Sequence, residues 1–454
     1  MKIDHIKHLY WRAGFGITPR QIERIKHKSR SEIIEDLFYE AKSYRPVEVD
    51  HSNFKKLYPQ DIFRKKGELM RVIAELRPKL TELNLAWIER LTEHEGVFRE
   101  KMTLFWANHF ACRDNHSYFM QNYINTLRAH SLGNFRKLTK AITREAAMIK
   151  FLNLRQNKRL HPNENFAREL MELFMLGAGN YTEKDIKESS KAFTGYNHDF
   201  FGNFKFNQRQ HDYGIKTFFG RKGDFNGDDI IDIILLEKQC ARFICEKLYA
   251  YFVNPVIDDY NVSEMVTQFY PRYDIEDLMR YVFEADWFYQ ERNIGVKIKS
   301  PIELLVGLHN SIPYKIKDNR QITVIQYMLG QRLLFPPNVA GWQGDKKWID
   351  SNTLLMRLRL PSLLLNDGRI LNLGGRFNDT FAKKYSKSHK ELNVSSNWNY
   401  FEKHHESIVI DDLEKYILQS PITEGTKNFL EDINRNSKKE FYLQLVSIPE
   451  YQLC

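Results

Sequence analysis

Cysteine is scarce, with four in 454 residues, too few for a disulfide framework. No stretch approaches the ~18 to 20 consecutive apolar residues that a membrane helix needs, so the chain is not expected to span a bilayer. With 22 glycines and 14 prolines, collagen-like and low-complexity architectures are excluded. The N-terminus, Met1-Lys2-Ile3-Asp4-His5, lacks the apolar run and small-residue cleavage site of a secretory signal. The expectation is a cytoplasmic chain in which Cys112, Cys240, Cys245 and Cys454 are free thiols. Acidic residues trail basic ones only mildly, 58 against 68, for a net charge of +10. The basic clusters are short: Arg64 to Lys66, Arg155 to Arg159, Arg221-Lys222 and Lys383-Lys384. They read as a solvated basic surface rather than a nucleic-acid footprint. Walker, GxGxxG, GxSxG and HExxH motifs are all missing. What is present is a large apolar stock, 42% of residues with 13% aromatic, enough for a sizeable core.

The helical period dominates. Leu69, Ile73, Leu76, Leu80, Leu83, Trp87 and Leu91 recur at three- and four-residue steps, predicting a helix over 67–93 that Pro78 kinks or splits. Further helices are predicted over 97–112, 117–131, 134–152 with Asn134 as cap, and 164–176, which Gly177 and Gly179 stop. Thr182 and Asp185 form a capping-box pattern opening the next helix. Between 197 and 227 the period shortens. Phe204 and Phe206, then Ile215, Thr217 and Phe219, alternate around a turn at Asp212 to Gly214, predicting one small β-hairpin. Helices resume from 228 to about 289. Ser300-Pro301-Ile302-Glu303 is a strong helix start. Residues 335–350 read as a long loop.

The fold class is thus mainly α: a large multi-helix body over 1–365 with an inserted hairpin. A basic surface linker or insertion over 366–405 follows, then C-terminal helices over 406–454 that pack on the body.

Several segments resemble one bacterial family, the domain-of-unknown-function 1800 family. They are His8 to Gly16 (HLYWRAGFG), Met102 to Phe110 (MTLFWANHF), His161 to Phe174 (HPNENFARELMELF), Gly223 to Asp229 (GDFNGDD), Lys299 to Glu303 (KSPIE) and Pro336 to Trp342 (PPNVAGW). The resemblance implies a mainly helical fold and no particular activity. Relatives in that family often carry export signals and sit beside genes for phosphatase- or sulfatase-like proteins, which implies envelope association.

The chemistry-bearing residues admit two readings each. On a helical wheel Glu164, Arg168 and Glu172 fall within ~80°, and Glu169 widens the arc. They form either a solvated face paired at i, i+4 or a carboxylate-lined cleft for acid/base work or a divalent metal. His161 and Asn163 stand just ahead of that helix, where its dipole favours an anion. His109 lies on an apolar stripe with Asn108 beside it, either a core histidine or an imidazole presented to a site. His211-Asp212 is either an oriented acid/base pair or a polar turn. Trp342 and Trp348 either form a platform for a sugar ring or pin the long loop. Asp224, Asn226 and Asp228 mimic a calcium loop but read better as a helix cap.

His109 and the Glu164 to Glu172 face are expected to converge on one site. The functional expectation is an enzyme with a His/Glu/Arg cleft, performing metal-assisted hydrolysis of an envelope or carbohydrate substrate. The alternatives are a non-catalytic helical scaffold and, more weakly, a nucleic-acid binder.

Overall fold

The computed structural model describes all residues except 58–65, 94, 367–391 and 432–436. The Arg64 to Lys66 and Lys383-Lys384 clusters, and most of the expected 366–405 linker, lie wholly or partly outside the described residues. The chain is mainly α-helical, as expected, with three small antiparallel strand pairs among the described residues.

The helix Val97–His109 sits at the centre, with ten of its side chains buried on all sides. It packs against Arg30–Ala41, Lys79–Thr92 and Ser117–His130. Such a helix must satisfy any charge it carries inside, because an unpaired buried ion is costly. Glu100 takes a two-pronged bond from Arg128, with Nη2–Oε1 at 2.6 Å and Nε–Oε2 at 3.0 Å. Lys101 donates to Glu303, to the Gly14 carbonyl at 2.9 Å and to the Trp11 carbonyl at 3.2 Å. One buried ion pair therefore joins the first helix (Ile3–Arg12), the central helix and the helix Pro301–Ser311. Ser300 and Glu303 also close the expected capping box.

The expected helix over 67–93 is split at Pro78 into Lys66–Leu76 and Lys79–Thr92. That over 134–152 is broken into Phe135–Ile142 and Ala146–Phe151. Asn134 holds the cap position, but its amide donates to the Arg272 carbonyl at 2.7 Å instead of capping. The 164–176 helix begins as α over Asn165–Glu169 and widens to a π-turn over Leu170–Met175.

The β insertion is present, but its pairing differs from the single hairpin expected. Tyr196–His198 pairs with Phe204–Phe206, and Lys216–Phe218 with Arg221–Gly223. Each strand found a nearer partner across its own tight turn, the second through Phe219 and Gly220 at positive φ. A third pair, Tyr314–Ile316 with Val394–Ser396, ties the chain after residue 391 to the body.

Gly307 shows how tightly the N-terminal segment is seated. A Cβ there would lie 2.5 Å from the Trp11 ring. Gly307→Ala should therefore lower stability by about 1–3 kcal/mol through overpacking, although alanine suits a helix better. Gly425→Ala, in open space, should cost nothing in the same denaturant titration.

Candidate functional site

Asn108 and His109 end the central helix at the wall of a cleft of about 420 Å³. Lys247 and Tyr251 enter from the helix Lys238–Phe252, Lys297 and Ser300 from the approach to Pro301–Ser311, and Trp348 from the long loop. Glu303 lies in the same wall.

The loop is fastened by Asn108. Its Oδ1 accepts from the Trp342 amide at 2.7 Å, and its Nδ2 donates to the Trp342 carbonyl at 3.1 Å. Gly341 makes this approach feasible: its φ is +78°, and a Cβ would fall 2.3 Å from Asn108 Oδ1. Trp342 and Trp348 are 6% and 8% exposed. They pin the loop, and Trp348 lines the cleft.

His109 is buried among Phe105, Trp106, Phe110 and Phe174. Its Nε2 lies 2.9 Å from the Phe174 carbonyl oxygen. A carbonyl only accepts, so Nε2 carries the proton and Nδ1 of the neutral ring is left as an acceptor. Among the described residues Nδ1 has no hydrogen-bond partner, and neither does the buried Tyr251 hydroxyl. Burial, with Lys247 adding to it, holds the imidazole well below its usual range, so the ring is neutral at pH 7. Burial also lowers Lys247, and it brings Lys297 down to about 8. Burial pushes the Glu303 carboxyl up, but Lys101 and Lys297 outweigh it and bring it to about 2.

His109 meets the glutamate-bearing helix at Phe174, through its carbonyl and its ring. The π-turn supplies the Phe174 carbonyl that His109 binds, while no hydrogen bond joins His109 to Glu164, Glu169 or Glu172. Those carboxylates belong to a separate network. Arg168 grips Glu183 at 2.8 and 3.0 Å and reaches Glu164 at 3.4 Å. Glu172 accepts from the Tyr181 hydroxyl at 2.6 Å. Glu169 is half-buried, and burial, then Glu172, raises its carboxyl.

His161 is exposed and forms a backbone bridge to Lys158. The Asn163 Oδ1 accepts from the Asn165 amide at 3.0 Å, a turn contact. His211 is buried and meets the Thr194 carbonyl at 2.9 Å rather than Asp212. Asp212 instead closes a turn through the Gly214 amide at 2.7 Å. Asn226 caps the following helix, as expected. Among the described residues, no group of three His, Cys, Asp or Glu side chains is placed to hold a metal ion.

A family model described as a protein of unknown function, DUF1800, matches residues 8–453. The chain belongs to the DUF1800 family. No curated protein and no solved structure matches it. In this DUF1800 chain, the resembling segments at 8–16, 102–110, 299–303 and 336–342 meet around the Lys101–Glu303 pair and the Asn108–Trp342 clasp. Lys247, Tyr251 and Lys297 carried no sequence signal: they sit singly among apolar helical positions or in irregular chain.

Two predictions follow from these partners. Asn108→Ala leaves both Trp342 backbone groups unpaired and should cost about 1–3 kcal/mol, with a red shift in tryptophan emission as the loop loosens. His8 and His109 have imidazoles depressed chiefly by burial. The unfolded chain therefore binds their protons first, and stability should fall as pH drops below about 6.5. The depressed Glu303 carboxyl acts in the same direction, its contribution being lost between pH 4.5 and about 2. His109→Phe should flatten the slope between pH 7 and 5 in urea titrations.

Proposed function

We propose that the Asn108–Trp348 cleft binds a small hydroxylated anion, an acidic or phosphorylated sugar by chemical class. The supporting observation is the pair of buried, unpartnered polar atoms in one wall, His109 Nδ1 and Tyr251 Oη. Buried polar groups ordinarily have partners. A neutral Nδ1 accepts from a hydroxyl, while Tyr251 can donate. Lys247 and Lys297 supply positive charge for the anionic group, and Trp348 offers an apolar surface to a ring. Where the ligand is a substrate, His109 is the group that accepts its hydroxyl proton, and the burial that depresses its pKa keeps it unprotonated.

Metal-assisted hydrolysis on the glutamate face has no donor set to support it among the described residues. The Arg168 clamp on Glu183 favours a second reading for that face, a structural network joining Asn165–Glu169 to Glu183–Ala192.

Thermal unfolding with glucose 6-phosphate, glucuronate, glucose and inorganic phosphate tests the cleft. At least one of the two hydroxylated anions should raise the melting temperature by several degrees, and glucose should not. Lys247→Met and Tyr251→Phe should each reduce the shift at least threefold. No shift with either anion, or one that survives both substitutions, rejects the reading.

A further inference from the structure

The β insertion and the loop before the glutamate helix share one surface, far more apolar than its polar sequence context suggests. Leu160 is 83% exposed, Ile215 70%, Tyr213 53% and Phe206 40%. The backbone brings the segments that carry them together. The Arg159 amide donates to the Gln210 carbonyl at 2.8 Å, which places Leu160 beside the insertion. Phe206, His211 and Tyr213 form a chain of ring contacts with centroids 4.9 and 4.8 Å apart, and Ile215 follows. Exposed apolar side chains this close together mark an interaction surface.

The exposed charge around them is mainly cationic. Lys158, Arg159 and Arg209 are exposed and have no ion-pair partner among the described residues. Lys205, also exposed, pairs with Asp199 at 3.8 Å. The two nearest carboxylates are already engaged: Asp212 in its turn with Gly214, and Asp224 with Lys216 at 2.8 Å. The tip therefore presents aliphatic and aromatic side chains together with the exposed cations of Lys158, Arg159 and Arg209.

We propose that this tip docks on the surface of an anionic lipid bilayer. Leu160, Phe206, Tyr213 and Ile215 enter the headgroup–acyl boundary while the cations meet lipid phosphates. Two aliphatic side chains at the point of greatest exposure favour lipid over nucleic acid, which offers phosphates and stacking faces but no aliphatic layer. The short strand pairs and the buried His211–Thr194 contact fix the tip's shape, so docking requires no folding step.

Co-sedimentation of the full chain with vesicles tests this, using phosphatidylglycerol mixed with phosphatidylethanolamine, and phosphatidylcholine alone. The chain should bind the anionic vesicles, several-fold less at 0.5 M salt, and leave phosphatidylcholine unbound. Arg159→Gln and Arg209→Gln should each weaken binding about fivefold. Leu160→Ser combined with Ile215→Ser should weaken it at least about tenfold. All four side chains are on the surface, and unchanged melting temperatures would confirm intact folds. Failure to bind anionic vesicles, or equal binding to phosphatidylcholine, overturns the proposal. So does binding that ignores the Leu160/Ile215 pair, or a stronger, equally indifferent association with single-stranded RNA, since either would reveal a plain polyanion contact.

Discussion

The structure depends on a charge that has to be buried. Lys101 lies in the middle of the central helix, out of reach of water, and its ammonium has to be matched there. The match comes from Glu303, held by its own capping box, and from two carbonyls at the end of the first helix. Removing one partner of such a pair leaves an uncompensated ion and costs about 3–5 kcal/mol. Three segments distant in sequence are thereby held in one register. Around them the cationic excess is dense. Lys299 lies over the Trp11 and Tyr451 rings at 3.9 and 3.6 Å, and Arg12 donates to the Asn293 carbonyl at 2.9 Å. Carbonyl oxygens and aromatic faces take up charge that a single carboxylate cannot balance.

The cleft inherits this surplus. The ion pair aligns the end of the central helix with the start of Pro301–Ser311, and Lys238–Phe252 completes the wall, so Lys247 and Lys297 face the same space as Glu303 and His109. The aromatic packing around His109 has two effects. It depresses the imidazole, and it holds Nε2 against the Phe174 carbonyl in the π-turn. A position that looks like core packing along the helix is thus also a neutral acceptor in the wall of a polar cleft.

Much of the fold was legible because its signals are local. Pro78 split its helix, Thr182, Asn226 and Ser300 capped theirs, and the shortened period after Asn197 marked strands. Strand pairing was not legible, because alternation does not say which neighbour a strand will choose. The π-turn was also hidden, since its apolar spacing over Leu170–Met175 matches an α-helix. At the site, Asn108, His109 and Trp348 stood out from their patterns, whereas Lys247 and Tyr251 matter only because of what the tertiary fold places opposite them. On the glutamate face the i, i+4 spacing made the Glu164–Arg168 pair visible, but Glu183, which Arg168 grips across space, could not be seen from helix spacing.

The state of His109 is the most direct test of this account. Nitrogen-15 spectra of selectively labelled histidines, with His109→Gln supplying the assignment, should show at pH 7 a neutral ring protonated on Nε2. The bare Nδ1 resonance should move upfield when glucose 6-phosphate or glucuronate is added. A ring protonated on Nδ1, a charged imidazolium, or an Nδ1 resonance that neither anion moves would contradict it.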